Sequence, residues 1–328
     1  MSRDQSTLVK GLAILLMLIY HMPRLLGLEQ AMTPMLSFMA HISNPVVYFL
    51  IVSGYGLYYA YREKRLTYPY LFKRTLRLYV SFWLVLLIFV VGLGSWLRPG
   101  MFSQSPLGHV LSFLGWEWGY LQFTWFLFPY VLISLCSPWL FRLLDRLGNV
   151  LSIVITLAVS LAMTVVISRY IDFLWNNMAL YHVVLTAQMS FGFTIGAVMA
   201  RYALAGHSLT WSRLKGRNWL VLLLLAVAFV ARGLINFSTV PGFPALVIWL
   251  VLHFDTTRFT TAVMLPLGRM SMMMWFCHGY IAVKLFNEYF LMLRWPWLIW
   301  LVWVVVSYCV ACLLMPVSNR ISRALKLT

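Results

Sequence analysis

Long apolar runs recur along the entire chain, and they constrain the fold more than any other feature. A membrane hydrocarbon core is about 30 Å thick, and a helix of about 20 apolar residues crosses it. Of the 328 residues, 62% are hydrophobic and 10% are charged, which leaves too little polar surface for a water-soluble globule of this size. The sequence therefore predicts an all-α, polytopic integral membrane protein.

About ten of these runs are candidates for membrane spans, although the second and the eighth are short. The predicted spans are 8–27, 46–61, 78–97, 124–141, 150–168, 180–201, 217–235, 242–254, 261–285 and 296–316. The first run has no small-residue cleavage site and contains Lys10, so we expect it to be retained as a helix rather than removed as a signal peptide.

The positive charges divide unevenly between the two sides of such a membrane protein. If the N-terminus is cytoplasmic, 19 of the 25 Lys and Arg residues fall at inner positions. The outer ones are Arg24, Arg98, Arg169, Arg232, Lys284 and Arg294. The positive-inside rule predicts this bias for ten helices with both termini cytoplasmic, in the cell's inner (plasma) membrane. Inner loops facing anionic lipid explain most of the net charge of +17, so the charge indicates a lipid bilayer as partner and no nucleic acid.

Lys10 and His21 are two ionisable residues in the first apolar run, KGLAILLMLIYH. Eleven residues at about 100° each bring both side chains to one helix face, roughly 16 Å apart along the axis. Ionisable groups in a bilayer are costly and usually face a protein interior or a watery cavity, which favours a functional site. The alternative is a snorkelling lysine and an interfacial histidine near opposite ends of the helix.

A basic cluster follows the second span, where FKRTLRL contains Lys73, Arg74 and Arg77. Arg74 and Arg77 are three residues apart and would share a helix face, where guanidinium groups bind phosphates in a fork geometry. This pattern predicts an anion site. Inner-loop cations that only fix the topology are the simpler alternative.

Further along the chain, Glu117 lies between aromatic residues in GWEWGY, and Ser271 and His278 are seven residues apart in SMMMWFCH. Aromatic rings beside a carboxylate can hold a sugar, and His278 could lie level with His21. An aromatic belt with one exposed acid, and a buried histidine bonded between helices, are the structural alternatives. Cys309 and Cys312 have no second pair or nearby histidine, so we predict no metal.

The order KGLAILLMLIYH, YFLIVSGYGL, FKRTLRL, TWFLFPYVLISLCSPWL and LGRMSMMMWFCH resembles the acyltransferase 3 family of multipass membrane acyltransferases, such as bacterial polysaccharide O-acetyltransferases. The resemblance runs from Lys10 to about Ala282. Its hallmark is a cation ten intervening residues before a histidine in the first helix. Many members carry an acidic residue shortly before the SGY element, whereas this chain has Val46 and Val47, so any acidic partner of His21 has to come from elsewhere.

The resemblance implies transfer of an acyl group, commonly acetyl, from cytoplasmic acyl-CoA to a hydroxyl of an extracytoplasmic glycan or lipid-linked sugar. It implies one membrane acyltransferase domain over 1–328 that includes a C-terminal helix at 296–316. His21 would be a general base or a transient acyl carrier, with Lys10 at the inner end of the same face. The expected site residues are His21 and Lys10 for catalysis, Lys73, Arg74 and Arg77 for the acyl-CoA co-substrate, and Glu117, Trp125, Ser271 and His278 for the acceptor.

Two other functions remain open from the sequence. A transporter or flippase for an amphiphilic anion would use Lys10, His21 and Arg74 as a binding path without bond chemistry. A non-catalytic partner in a glycan-assembly complex would tolerate replacement of His21.

Overall fold

A computed structural model describes residues 1–27, 38, 45–235, 242–255 and 257–327. Every regular element among these residues is a helix, which confirms the all-α class for the described part of the chain. By length and composition, four helical stretches can cross a membrane: Tyr68–Leu97, Gln122–Trp175, Met178–Leu204 and Pro296–Ala324. The protein is therefore a helical membrane protein.

The helices are numbered here in chain order. They are α1 (Arg3–Tyr20), α2 (Met22–Leu25), α3 (Pro45–Arg62), α4 (Tyr68–Leu86), α5 (Leu93–Leu97), α6 (Pro106–Phe113), α7 (Leu127–Trp175), α8 (Met178–Leu204), α9 (Asn218–Ile235), α10 (Phe243–Val251), α11 (Leu265–Gly279), α12 (Asn287–Leu291) and α13 (Pro296–Ala324). Short π-helical segments, Leu87–Gly92, Thr260–Met264 and Tyr280–Leu285, join or extend α4, α5 and α11.

Helix α1 begins earlier and ends earlier than the expected span 8–27. Ser2 caps its start, because the Ser2 hydroxyl accepts from the backbone N–H of Gln5 while the Gln5 side chain accepts from the Ser2 backbone. The helix ends at Tyr20, with His21 as its C-cap. Pro23 follows in the first turn of α2, and its ring is incompatible with a continuous helix through this point. His21 consequently lies at a break between two helices.

Helix α7 contains most of the predicted span 124–141 and all of the span 150–168 in one helical stretch. Gly148 divides it, with φ 78° and ψ 177° inside the element. A positive φ is readily adopted only by glycine, so this residue allows the chain to leave one helical segment and begin the next. The sequence prediction of two separate spans thus corresponds to the two segments on either side of Gly148.

Two glycine pairs bring helices that are far apart in sequence into close contact. On α1 and α11, a Cβ at Gly11 would meet the carbonyl oxygen of Met264, and one at Gly268 would collide with the carbonyl of Thr7. On α3 and α8, Gly54 and Gly196 lie in the same way against the opposite backbone. Small residues permit such close helix packing in membranes. The α1–α11 contact is the one that brings the first and last sequence motifs together.

Candidate active site

A cavity of about 890 Å³ opens between α1, α3, α4, α7 and α11, and it is named the inner cavity because its cations belong to the set that the charge pattern of the sequence assigns to the inner side. Its volume lies within the range of ordinary small-molecule sites. None of the described residues that line it is acidic. Its cationic side chains are Arg3, Lys10, Arg74, Arg77 and Arg269. Opposite charges favour association, so this cavity suits an anion.

Arg74 is held in a fixed position in the wall of this cavity. Its Nη2 donates to the hydroxyl of Tyr130 at 2.7 Å and to Oγ of Ser53 at 3.2 Å. The guanidinium carbon also lies 5.8 Å from the centroid of the Tyr130 ring. Nη1 of Arg74 is buried and has no hydrogen-bond partner among the residues that the structure describes. Nη2 of the guanidinium is thus anchored, and the donors of Nη1 are left unsatisfied beside the cavity.

The three residues predicted to bind the donor have different environments. Arg74 and Arg77 both line the cavity, as expected for residues on one face of α4. Arg77 also donates through Nη2 to the carbonyl oxygen of Leu327 at 2.6 Å, which attaches the C-terminal segment to the cavity rim. Lys73 is exposed and is not among the lining residues. Ser271, predicted on the acceptor side, lines this inner cavity instead.

A second, outer cavity of about 740 Å³ lies beside the 3-10 turn Gln122–Thr124. Its lining combines aromatic, charged and neutral polar side chains, among them Arg24, Glu117, Trp118, Gln122, Phe123, Trp175 and Lys284. Glu117 is therefore placed in a cavity together with two tryptophans. Trp125 is not among the lining residues of either cavity, and its ring packs 5.9 Å from that of Phe126.

His21 lies next to the outer cavity. Its ring stacks on Phe123, a residue of the cavity wall, with centroids 3.7 Å apart and an interplanar angle of 20°. Since Lys10 lines the inner cavity, the single helix α1 connects the two cavities through these two side chains. The ring of His278 lies 5.4 Å from the His21 ring and 5.3 Å from Phe123. A proton acceptor therefore stands near the outer cavity, with a cationic cavity at the other end of the helix.

Several residues of this arrangement were not predicted from the sequence. Tyr130 and Arg269 belong to the inner cavity, and Phe123 and Trp175 to the outer one. Pro129 before Tyr130 marks an unusual position within an apolar run, but nothing local distinguishes that tyrosine from the other aromatic residues. Their roles depend on contacts between distant helices, which sequence spacing does not report.

In a comparison with known protein families, the chain matches the acyltransferase 3 family, described as an acyltransferase domain, over residues 4–316. No curated protein and no solved structure matches the chain. The match covers nearly the whole chain and includes α1, the basic segment of α4 and α11. The family model therefore covers the outer cavity, all of the inner cavity except Met1, Ser2 and Arg3, and nearly the whole helix that connects them. The chain belongs to the acyltransferase 3 family and is a membrane acyltransferase.

Proposed function

We propose that this protein transfers an acetyl group from acetyl-CoA, bound from the cytoplasm in the inner cavity, to a hydroxyl of a glycan or lipid-linked sugar in the outer cavity. The observation that carries the proposal is that Lys10 and His21 on one helix lie at the inner and the outer cavity respectively. Acyl-CoA is a substrate in this scheme, and no metal is involved.

Charge supports the assignment of the inner cavity to the donor. Coenzyme A carries phosphate groups, and arginine guanidinium groups bind phosphate through paired hydrogen bonds. Arg74 has unused donors on its Nη1 edge, and Arg77 and Lys10 line the same cavity. Helix α1 leads from Lys10 toward His21. In the bound donor, Lys10 would therefore lie nearer to the thioester than the arginines that hold the phosphates.

The lining of the outer cavity supports a sugar acceptor. Trp118 and Trp175 offer flat apolar rings, and Glu117 and Gln122 offer hydrogen-bonding groups in the same cavity. Aromatic rings with polar neighbours bind ligands that have an apolar face and a polar edge, as sugars do. His21 is adjacent through Phe123.

In this mechanism the neutral imidazole of His21 accepts the proton of the acceptor hydroxyl. The oxygen attacks the thioester carbonyl carbon, the new C–O ester bond forms and the C–S bond breaks. The thiolate of coenzyme A leaves and takes up the proton, so the products are an O-acyl sugar and free coenzyme A. A transient acyl group on His21 is the other route open to the same residue.

In the proposed orientation, the chain crosses the inner (plasma) membrane of the cell ten times. Both termini then lie in the cytoplasm. Each of the ten predicted spans overlaps a helix. The cations of the inner cavity, including Arg3, Arg74 and Arg269, all belong to the set assigned to the inner side. Arg24 and Lys284, which line the outer cavity, both belong to the outer set. This sorting supports the orientation.

The test is acyl transfer by membranes that contain equal amounts of each variant, measured together with acyl-CoA binding. His21→Ala and His21→Gln should lose transfer by on the order of a hundredfold, because neither side chain is a base near neutral pH, whereas donor binding should persist. Lys10→Arg should keep substantial activity and Lys10→Ala should weaken donor use.

His207→Ala is the matched control, since His207 is exposed and packs on Tyr202 away from both cavities. Full transfer by His21→Ala would exclude both routes through this histidine and would favour a transporter or a scaffolding partner.

A further inference from the structure

A histidine that acts as a base needs a partner that fixes which ring nitrogen carries its proton. A carboxylate commonly has this role. Among the residues that the structure describes, no carboxylate contacts His21, and the titratable groups that act on it electrostatically are His278 and Arg24. The start of α3, where Val46 and Val47 lie, offers only apolar side chains.

His278 has a defined tautomer. Its Nδ1 lies 2.7 Å from the carbonyl oxygen of Trp275 and 3.1 Å from that of Met274. Carbonyl oxygens only accept, so Nδ1 of the neutral ring carries the hydrogen and Nε2 carries the lone pair. Trp303, on α13, fixes the backbone at His278, because its indole N–H donates to the carbonyl oxygen of His278 at 3.0 Å. The position and the direction of the His278 ring are thus both fixed.

The lone pair on Nε2 of His278 is unused. This atom is buried and has no hydrogen-bond partner among the described residues, and the residue as a whole is 0% exposed. A buried polar atom without a partner costs free energy, so its retention calls for an explanation.

The nearest ring that could supply a donor belongs to His21, with centroids 5.4 Å apart and an interplanar angle of 26°. An N–H···N hydrogen bond of about 2.9 Å between two imidazoles places their centroids roughly 5 Å apart. The observed centroid separation is close to this value, so the two rings lie within reach of such a bond once the His21 ring turns its N–H toward His278.

We propose that His278 is the positioning residue of the site: its Nε2 accepts the ring N–H of His21 and directs the second nitrogen of His21 toward the acceptor hydroxyl. This inference rests on the proposed function, in which His21 is the base. When His21 takes up the proton, the bond to His278 stabilises the imidazolium without a negative charge. Among the described residues, the charged groups in the wall of the adjacent outer cavity are Arg24, Lys284 and Glu117, and α13 packs the uncharged Trp303 against His278.

Substitution tests the role by kinetics. His278→Phe keeps a ring of similar size and removes the acceptor, so kcat should fall about tenfold or more while the KM for acyl-CoA changes little. His278→Glu supplies an acceptor and should recover part of kcat. It should also move the acidic limb of the pH–rate profile to higher pH, because a carboxylate favours protonated His21 more than a neutral imidazole does.

The matched control is His253→Phe, because His253 is also buried, contacts a backbone carbonyl through Nδ1 and packs on a tryptophan ring, but lines neither cavity. This variant should keep the wild-type kcat and pH profile. Wild-type kinetics in His278→Phe would overturn the proposal. A second result would also overturn it: His278→Phe loses both kcat and acyl-CoA binding, and His278→Glu recovers neither. A packing defect would then explain the effect.

A second measurement does not depend on acyl transfer. The measurement is solid-state NMR on protein with ¹⁵N-labelled histidine in lipid bilayers. The chemical shift of Nε2 of His278 should be that of a non-protonated, hydrogen-bonded nitrogen, and this shift should change in His21→Ala. The same resonance in wild type and His21→Ala would refute the contact, whatever the reaction. A contact detected by NMR in a protein that transfers no acyl group would instead refute the proposed function and leave the pairing intact.

Discussion

Tyr130→Phe is the substitution that best tests how the inner cavity holds its arginine. The change removes only the hydroxyl that accepts from Nη2 of Arg74 at 2.7 Å. The ring, 5.8 Å from the guanidinium carbon, remains in place, as does the second acceptor, Oγ of Ser53 at 3.2 Å. The variant therefore removes the bond from Arg74 and the 3.0 Å bond between the Tyr130 hydroxyl and Oγ of Ser53, while it keeps the charge and nearly the whole volume of the site.

The size of the effect follows from this geometry. A hydrogen bond to a charged group contributes about 1.5–3 kcal/mol. Because Ser53 still holds the same nitrogen, we expect the lower end, about 1.5 kcal/mol, which corresponds to roughly a tenfold change in an equilibrium constant. The KM for acyl-CoA should rise by about this factor, since Arg74 would no longer be pre-oriented for phosphate, and kcat should change much less.

The assay is the initial rate of acyl transfer against acyl-CoA concentration in membranes with matched protein levels. Tyr79→Phe is the control, because it too removes a hydroxyl with a short hydrogen bond. The Tyr79 hydroxyl donates to the carbonyl of Leu114 at 2.6 Å, and Tyr79 lies on the helix of Arg74 but does not line the cavity. This control should leave the KM for acyl-CoA unchanged. An unchanged or lower KM in Tyr130→Phe, or an equal rise in both variants, would refute the anchoring of Arg74 as the reason for donor affinity.

Three further outcomes are expected. Gly54→Ala should lower the thermal unfolding temperature, since its Cβ would collide with the backbone of α8 at a cost of about 1–3 kcal/mol. Gly56→Ala is the control and should not lower it, because no atom lies within 4 Å of the added Cβ. Equal unfolding temperatures of the two variants would contradict the close contact. In a cysteine-free background, a single cysteine at Lys64 should be shielded from an impermeant thiol reagent in intact cells and one at Met101 should react; reaction at Lys64 would reverse the orientation. Trp118→Ala should raise the KM for the acceptor about fivefold to tenfold and leave the KM for acyl-CoA unchanged, and a change in the donor KM alone would remove the outer cavity from acceptor binding.

The local features of the fold could be predicted from the sequence. The expected second span, 46–61, corresponds to Pro45–Arg62, and the expected last span, 296–316, lies within Pro296–Ala324. The first span was shifted, because the Ser2 cap and the break before Pro23 move α1 toward the N-terminus. Caps and prolines act over a few residues and can outweigh the hydropathy average of a long window.

The candidate site was only partly predictable. The spacing of Arg74 and Arg77 placed them on one face, and both line the inner cavity. Ser271 and His278 were both assigned to the acceptor, but only His278 lies beside His21, while Ser271 lines the inner cavity. Helical spacing gives the direction of a side chain around its own axis, but it does not give the depth at which another helix packs against it.

By itself, the sequence determined the membrane class, the approximate helices and the uneven distribution of cations, because hydropathy and charge act on each segment independently. Only the tertiary structure decided that Tyr130 holds Arg74 and that His278 faces His21. These pairs are 56 and 257 residues apart in the chain. His21 and His278 meet because backbone contacts at Gly11 and Gly268 fix how α1 and α11 pack. Such contacts are properties of two surfaces together, and neither segment specifies them alone.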